Sequence, residues 1–352
     1  MTFEDFGGWS ETLAQLTSGQ SLSGSHCQAV LGEILAGEAS DAQIAALLVS
    51  LRQKGETVEE LVGLQHAMMA AAEPLSLGDD VIDIVGVGGA ASRRKHALNV
   101  STMACFVAAG AGARVCKHGN RKASSTSGSF DLLEALGVAI DPGPAQLEAL
   151  VATHGLAFAF ARRFHPAMRH VGPVRAQLGI PTVFNVLGPL AHPGGVSRQV
   201  VGVADGSLAP KMIETLAGTG SVRSLVVTGD GALDEFSTTG PSKVLSLNEG
   251  EITELTVDAA DYGIAQSEPE ALAGGDAQVN ADIARRLFAG EPGPVRDMVV
   301  LNAAAGLIVA GLADDFGDGI TQAGAAIDDG RVAAKLAALV QDESSADAEA
   351  DR

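Results

Sequence analysis

The sequence predicts an α/β protein in which a small helical domain precedes a larger domain with a mostly parallel central sheet and helices around it. Residues 1–76 carry helical patterns without a strand-like run, whereas strand, loop and helix patterns alternate from about residue 80 onward. The composition agrees, because 46% of the 352 residues are hydrophobic and only one Trp and one Tyr are present. A chain of this length has material for two domains, with cores built from small aliphatic side chains.

The helical domain is predicted from helix-start signals and apolar spacing. Ser40 and Thr57 each open a capping-box pattern, and apolar residues follow at helical intervals. Gly55 ends the first of these two helices. Their apolar stripes need a partner surface, which is either the rest of the chain or a second subunit. A helical segment near residues 165–195 is expected to join this domain.

The α/β domain is predicted over residues 77–340. Short runs rich in apolar and β-branched residues indicate strands at residues 81–85, 113–116, 199–204 and 222–228. Their alternation with helical patterns predicts parallel strands, helices on both faces and ligands at the carboxyl ends of the strands. Residues 243–257 are expected to form an antiparallel pair, and the chain is helical again beyond Ala277.

The end of the chain has a different composition from the domain that precedes it. Residues 341–352 carry five acids and no apolar side chain larger than alanine. Such a segment has too little apolar surface to bury, which predicts a disordered acidic tail.

The charge of the chain excludes some classes of partner. A net charge of −20 and a pI near 4.7 argue against general binding to nucleic acid or to anionic membranes. No apolar run reaches the roughly 18 residues of a membrane span, and the first residues lack the basic start of a signal peptide, so a cytoplasmic location is expected. The three cysteines, Cys27, Cys105 and Cys116, are scattered and are expected to be buried reduced thiols.

Two segments after the first predicted strand have the composition of anion sites. The glycine cluster at residues 86–89 allows close approach of a phosphate to the backbone, although such a cluster is equally typical of a simple turn. Asn99, Ser101 and Thr102 stand where a helix is expected to begin. Their amides and hydroxyls suit an anion or a hydrated metal, and ordinary helix capping is the alternative.

The second predicted strand ends in a crowded polar turn, Lys117-His118-Gly119-Asn120-Arg121, followed by four serines before the next helix. A surface loop has no need for this combination of two cations, a glycine, an asparagine and several hydroxyls. Lys117 and Arg121 are predicted to hold a pyrophosphate, with the serine hydroxyls and helix amides binding the rest of the ligand.

This turn, with its continuation through residues 133–137, resembles the pyrophosphate-binding signature of anthranilate phosphoribosyltransferases. Four further segments agree with that family: residues 99–102, 165–175, 184–190 and 234–235. The resemblance implies transfer of a phosphoribosyl group from 5-phosphoribosyl 1-pyrophosphate (PRPP) to anthranilate, with Mg²⁺, in tryptophan biosynthesis. It also implies a homodimer that associates through the helical domain.

The resemblance assigns roles residue by residue. It implies that PRPP contacts Gly86, Gly88, Gly89, Asn99, Val100, Ser101, Thr102, Lys117, Gly119, Asn120, Arg121, Ser124, Ser125 and Ser129. It implies that Ser101, Asp234 and Glu235 hold Mg²⁺. It implies that anthranilate contacts Gly86, Asn120, His165, Arg175, Gly188 and Pro189, with Arg175 pairing with the carboxylate. Lys117 is expected to stabilise the leaving group, and no residue is expected to act as a general acid or base.

The glycine loop departs from the family pattern. Val87 replaces a threonine and Ala90 replaces an aspartate, and the loop is three residues longer and contains Ser92-Arg93-Arg94-Lys95-His96. Three interpretations remain open: the basic run replaces the lost contacts to pyrophosphate, it is a solvated loop without a role, or the chain uses a different phosphorylated donor.

Two other functions compete with the implied one. A nucleoside phosphorylase of the same fold usually has Ser where this chain has Asn120, and it lacks the segment with Arg175. A non-catalytic paralogue that binds a metabolite is supported by the altered glycine loop alone. It has no chemical reason to retain Lys117, the acidic pair Asp234-Glu235 and Arg175 together.

Overall fold

The computed structural model describes residues 2–88, 96–122 and 126–350, with side chains described through residue 342. The chain begins with four helices, α1 (Gly8–Thr17), α2 (Gly24–Ala36), α3 (Asp41–Lys54) and α4 (Val58–Ala70). Both predicted capping boxes are present, with Ser40 and Thr57 as the N-cap residues of α3 and α4. The apolar faces of these helices pack with side chains from residues 171–191 in one hydrophobic cluster.

The centre of the molecule is a seven-stranded sheet. Its strands are β1 (Val81–Gly86), β2 (Arg114–Gly119), β3 (Leu156–Phe160), β4 (Arg198–Gly202), β5 (Arg223–Thr228), β6 (Ser242–Asn248) and β7 (Glu251–Val257). The strand order is β3-β2-β1-β4-β5-β6-β7. The first five strands run parallel, and β6 and β7 continue the sheet as an antiparallel pair.

The remaining helices cover the sheet and complete the helical region. They are α5 (Val100–Gly110), α6 (Ser129–Leu136), α7 (Pro144–His154), α8 (Ala161–Phe164), α9 (Gly172–Leu178), α10 (Phe184–Leu190), α11 (Ala209–Gly218), α12 (Ala277–Phe288), α13 (Pro294–Ala310), α14 (Phe316–Asp328) and α15 (Arg331–Ala350). Helices α5 and α13 pack on each other and on β1 in the largest hydrophobic cluster. Helix α11 packs on β5 and β6 in a separate cluster and also contacts α4, so it connects the sheet to the helical region.

The predicted fold class is confirmed, including the mostly parallel sheet and the antiparallel pair at residues 243–257. The turn of this pair uses Glu249 and Gly250, both with positive φ (49° and 88°), as a two-residue hairpin requires. The exact division of the chain into domains at residues 76 and 340 stays a prediction. Within the described residues, no helix is both long enough and apolar enough to cross a membrane.

The structure differs from the sequence prediction in three features. Strand β2 extends through Gly119, so Lys117 and His118 belong to the strand and are buried, where the sequence predicts a polar turn after the strand. Strand β3 was not predicted. The predicted tail is helical from residue 341 through Ala350, because it forms the last part of α15 and its three alanines favour a helix.

Candidate active site

A cleft of about 1030 Å³ opens at the carboxyl ends of β1, β2 and β4. This edge of a parallel sheet gathers the turns that follow the strands, so residues distant in sequence meet there. We call its sheet-derived side the sheet wall, formed by residues 85–88, 97–99, 101–102, 117–122, 127–129, 204, 205, 208, 234 and 235. We call the other lining residues the helix wall, formed by Val49, Arg52 and Gln53 of α3, by Glu56 just after this helix, and by residues 180–182, 185 and 186.

The turn after β1 holds a carboxylate. The Gly88 amide donates a hydrogen bond of 2.8 Å to Asp234 Oδ2, and Gly88 has a φ of 71°. A Cβ added at Gly86 would lie 2.4 Å from the same oxygen. Any side chain at residue 86 would displace this oxygen, so the glycine is needed for the close approach of Asp234. Gly89, Ala90, residues 92–95, Ser124 and Ser125, for which the sequence predicts roles, lie outside the described residues.

Helix α5 begins at the cleft, as predicted. Its N-cap residue, Asn99, makes no side-chain capping bond, and the first amides of a helix have no acceptor within the helix. Ser101 and Thr102 line the cleft, whereas Val100 is buried and does not. The helix therefore presents amide and hydroxyl donors, together with the positive end of its dipole, to the space in front of β1.

Lys117 is a buried strand residue with its ammonium group beneath the cleft. Its exposed fraction is 2%, and Nζ donates a hydrogen bond to the carbonyl of Ile84 in the neighbouring strand. The buried Asp83 on β1 accepts a hydrogen bond from the His118 amide. Burial raises the pKa of Asp83 to about 7, opposed by the positive charge of Lys117. Lys117 thus lines the cleft as a buried side chain, and the carboxyl group of Asp83 lies in the sheet interior close to it.

Arg121 lines the cleft, but its guanidinium is engaged by acidic side chains. It donates two hydrogen bonds to Glu134, at 2.8 and 2.9 Å, and a longer one to Asp131. The sequence predicts that this guanidinium binds pyrophosphate. In the structure it forms instead a fork with a carboxylate of α6, which ties the polar turn to that helix.

Asn120 and two serines complete the turn. Ser129 Oγ donates a hydrogen bond of 3.0 Å to the carbonyl of Asn120, and Ser127 Oγ donates one of 2.9 Å to Asn99 Oδ1. The second bond connects the serine segment to the start of α5. The segments predicted from two different parts of the sequence therefore meet on the sheet wall.

Asp234 and Glu235 lie together on the sheet wall with Ser101. Gly202 on β4 adjoins this pair, since a Cβ there would lie 1.7 Å from the Asp234 carbonyl oxygen. In the part of the chain that the structure describes, no group of three or more His, Cys, Asp or Glu side chains is arranged to hold a metal. Two carboxylates and a hydroxyl fit Mg²⁺, because this ion keeps several waters and takes further oxygens from substrate phosphates.

The residues predicted for anthranilate are less concentrated. Gly86 and Asn120 line the cleft, whereas His165, Arg175, Gly188 and Pro189 do not. Arg175 is half-buried, with its guanidinium carbon 5.3 Å from the centre of the Phe184 ring and Nη2 3.4 Å from Asn185 Oδ1. Because Asn185 belongs to the helix wall, Arg175 stands directly behind that wall. His165 is buried, and its Nε2 is bonded to the carbonyl of Ala191.

Comparison with known proteins agrees with this arrangement. The family profile described as "Glycosyl transferase family, a/b domain" matches residues 78–333, and "Glycosyl transferase family, helical bundle domain" matches residues 10–72. The anthranilate phosphoribosyltransferase of Nocardioides sp. is 50% identical over 301 residues, which cover 86% of this chain and 87% of that protein. The chain belongs to the anthranilate phosphoribosyltransferase family. It is therefore an enzyme, a pentosyltransferase.

Solved structures of this family have the same fold. The crystal structure of the Thermus thermophilus anthranilate phosphoribosyltransferase superposes with a TM-score of 0.88 at 40% identity, and covers 94% of this chain and 98% of that one. The Saccharomyces cerevisiae enzyme in complex with PRPP and Mg superposes with a TM-score of 0.86 at 27% identity, and covers 96% of this chain and 98% of that one.

His118 is a polar residue of the site that was not predicted from the sequence. His118 lines the cleft and is buried, and within the described residues its Nε2 has no hydrogen-bond partner. Burial lowers the pKa of His118 well below its usual value, and the nearby His165 and His192 act in the same direction. His118 lies next to Lys117 in the segment predicted as a turn. In a strand, successive side chains point to opposite faces, and this alternation is the signal that distinguishes the position of His118 from that of Lys117.

Proposed function

We propose that the cleft is the catalytic site of this enzyme, which transfers the phosphoribosyl group from PRPP to anthranilate in tryptophan biosynthesis. The observation that carries the proposal is the sheet wall, where the start of α5, Lys117 and the pair Asp234-Glu235 surround one space. That space combines donors for phosphate with carboxylates for a divalent cation, as a pyrophosphate ester requires.

The donor is proposed to bind along the sheet wall. Ser101 and Thr102 line the cleft at the start of an eleven-residue helix, where an anion is favoured. The remaining contacts of this proposal are those named for PRPP from the sequence, with two adjustments. Arg121 is proposed to stabilise the turn, because its guanidinium is bound to Glu134 and its amide to Asn120 Oδ1, and Gly88 contributes by holding Asp234.

Magnesium is proposed to bind at Asp234, Glu235 and Ser101. When bound, Mg²⁺ would neutralise negative charge on the leaving pyrophosphate. The close packing of Gly86 and Gly202 against Asp234 supports the proposal, because it fixes the position of this carboxylate relative to β1 and β4. The yeast family member was crystallised in complex with PRPP and Mg.

Anthranilate is proposed to bind between the sheet wall and the helix wall. Asn120 and Gly86 already line this space, and Arg175 is proposed to pair with the carboxylate. Its bond to Asn185 is long, at 3.4 Å, and burial lowers the pKa of its guanidinium. A carboxylate therefore offers a stronger partner than the amide of Asn185. His165, Gly188 and Pro189 are proposed to support this pocket from behind its surface.

The chemistry requires little from a base. The amine of anthranilate is neutral at pH 7, so its lone pair is available to attack C1 of the ribose while the C1–O bond to pyrophosphate breaks. Positive charge develops on the sugar, and negative charge leaves with the pyrophosphate. The ammonium group of Lys117 and the amides of α5 stabilise that negative charge, and the cleft holds the amine close to C1.

Loss of anthranilate fluorescence tests the activity. We expect the signal to fall when purified protein is mixed with anthranilate, PRPP and Mg²⁺, and to stay constant without PRPP or with a chelator in excess over Mg²⁺. Phosphate and a nucleoside in place of PRPP and anthranilate should give no product. A folded sample that leaves the fluorescence unchanged with all components present contradicts the proposed function.

The quaternary state belongs to the same proposal. We propose a homodimer that forms through the helical region, as the family resemblance implies. Light scattering coupled to size exclusion should give about twice the chain mass of 35.6 kDa. A mass equal to that of one chain at micromolar concentration contradicts it.

A further inference from the structure

Asn280 is a fully buried asparagine in α12, a helix that contributes no residue to the lining of the cleft. Its Nδ2 donates two hydrogen bonds of 2.8 Å, to the carbonyl of Ala97 and to Asn99 Oδ1, and its Oδ1 accepts one of 2.9 Å from the Gly275 amide. Asparagine is a poor helix former, and a buried amide is costly unless it is bonded. Its position in this helix therefore depends on the groups that it connects.

The connection continues to the serine segment. Asn99 Oδ1 also accepts a hydrogen bond of 2.9 Å from Ser127 Oγ, and Asn99 Nδ2 donates one of 3.3 Å to the Ser127 carbonyl. A backbone bond from the Gly274 amide to the His96 carbonyl runs beside the side-chain bonds. Asn280, Asn99 and Ser127 thus form one hydrogen-bonded chain, and two of its members, Asn99 and Ser127, line the cleft.

Asn99 and Ser127 lie 28 residues apart in the sequence, and this hydrogen-bonded chain connects the two donor-binding segments to which they belong. Asn280 determines which way the amide of Asn99 faces, since Asn99 Oδ1 must point to both Asn280 Nδ2 and Ser127 Oγ. An amide held in this orientation fixes Ser127 relative to the first turn of α5. A displacement of about 1 Å between groups that bind a reacting ligand is enough to lower rates strongly.

We propose that Asn280 is a positioning residue for donor binding: from outside the cleft it fixes the first turn of α5 and the serine segment in one arrangement. This inference rests on the proposed function, because it takes the sheet wall to be the PRPP site. It does not require Asn280 to touch the ligand. It predicts that a change at Asn280 alters the handling of PRPP and leaves that of anthranilate unaltered.

The test compares Asn280→Ala with a matched control, Thr12→Val. Thr12 is also fully buried and makes a side-chain bond of 2.8 Å to His26, but it lies in α1 and does not line the cleft. Both changes should lower the melting temperature. Asn280→Ala should raise the KM for PRPP by about ten-fold with an unchanged KM for anthranilate, whereas Thr12→Val should change neither KM.

A double-mutant cycle with Ser127→Ala separates positioning from loss of stability. If the hydrogen-bonded chain acts as a unit, the effects of Asn280→Ala and Ser127→Ala on the KM for PRPP should be clearly less than additive in free energy. Additive effects, or a wild-type KM for PRPP in an Asn280→Ala protein of lowered melting temperature, overturn the inference.

A measurement of PRPP binding that does not depend on turnover distinguishes failure of this inference from failure of the proposed function. PRPP with Mg²⁺ should raise the melting temperature of the wild-type protein, and should raise that of Asn280→Ala less at the same concentration. This pattern in a wild-type protein that shows no turnover refutes the proposed reaction and supports the positioning role. A wild-type protein that PRPP does not stabilise refutes both.

Discussion

The two walls of the cleft are built in different ways. The sheet wall consists of strand ends and the turns after them, and its polar groups are bonded into the fold: Lys117 to Ile84, Asn99 to Asn280, and Asp234 to Gly88. On the helix wall Val49 and Ile180 are 41% and 42% exposed. In the described part of the chain, Arg52 makes no hydrogen bond or ion pair.

This difference corresponds to what each substrate demands. PRPP carries several negative charges and must lose pyrophosphate, so its site needs donors that are fixed before the reaction begins. Anthranilate is small and planar, and a single cation is sufficient to orient its carboxylate. We therefore expect changes on the sheet wall to reduce the rate or weaken binding of the donor, and changes on the helix wall to weaken binding of the acceptor.

The largest expected effect is on the sheet wall at Asp234. Asp234→Asn keeps the shape of the side chain but removes the charge proposed to hold Mg²⁺, and should lower kcat/KM by about 10² to 10³-fold. Asp230→Asn is the control, because Asp230 is exposed in the same turn and bonds only to Thr239 among the described residues. Initial rates at saturating Mg²⁺ measure both. Equal activities of the two variants would contradict the proposal that Asp234 holds Mg²⁺.

Lys117 should give the next largest effect. Lys117→Met retains most of the buried aliphatic volume but removes the cation beneath the cleft, and kcat should fall by about 10²-fold. Lys243→Met on β6 is the control, since Lys243 is an exposed strand lysine outside the cleft. A fall in kcat of less than about three-fold for Lys117→Met contradicts a role in leaving-group stabilisation.

Asp83, the buried carboxyl group on β1, predicts a pH dependence of stability. Burial raises the pKa of Asp83 to about 7 in the folded protein, whereas the unfolded chain has the ordinary value near 4. Between these values the unfolded state releases a proton that the folded state retains. The contribution of Asp83 to the free energy of unfolding should therefore fall as pH rises from about 4 to 7 and level off above that.

Asp83→Asn removes this contribution. Relative to the variant, the wild-type protein should lose on the order of 2 kcal/mol between pH 4.5 and pH 7.5, measured by urea unfolding followed by circular dichroism. Asp79→Asn, at an exposed position just before β1, should leave the pH dependence of the wild type unchanged. Parallel curves of the free energy of unfolding against pH for the wild type and Asp83→Asn would contradict this prediction.

The sheet wall could be predicted from the sequence far better than the helix wall, for a physical reason. Its residues come in short contiguous runs at strand ends, so the glycine cluster, the start of α5 and the turn at Lys117 are each recognisable locally. The strand character of Lys117 was hidden, because a buried lysine in a strand depends on a carbonyl supplied by another strand. Strand β3 was missed because a short, fully buried apolar run has no distinguishing periodicity.

The helix wall has no comparable local signal. Its residues form two groups, 49–56 and 180–186, which are separated by more than 120 positions. The two groups meet because α3 packs against α9. Nothing in the sequence around Arg52 marks it as a residue of the cleft, and Arg175 was identified through the family resemblance alone. The structure places Arg52 on the helix wall and Arg175 behind it, so these two arginines are the candidate partners of the anthranilate carboxylate.

The smallest expected effects are those of two arginine substitutions, and they show which arginine pairs with the carboxylate of anthranilate. Arg175→Ala should raise the KM for anthranilate by about ten-fold with little change in kcat or in the KM for PRPP, because a lost carboxylate contact weakens binding of the acceptor alone. Arg52→Ala should change the same KM by less than about two-fold, since an exposed cation in water contributes little. Arg169→Ala, at an exposed position outside the cleft, controls for the change in net charge.

The opposite order of effects would place the carboxylate at α3. A ten-fold rise for Arg52→Ala with a wild-type KM for Arg175→Ala would mean that anthranilate binds against the exposed face of the helix wall. Arg175 would then serve only to hold Asn185 and Phe184 in place. An equal rise in the KM of both substrates for Arg175→Ala would contradict the acceptor role as well, because it would show that the substitution disturbs the sheet wall.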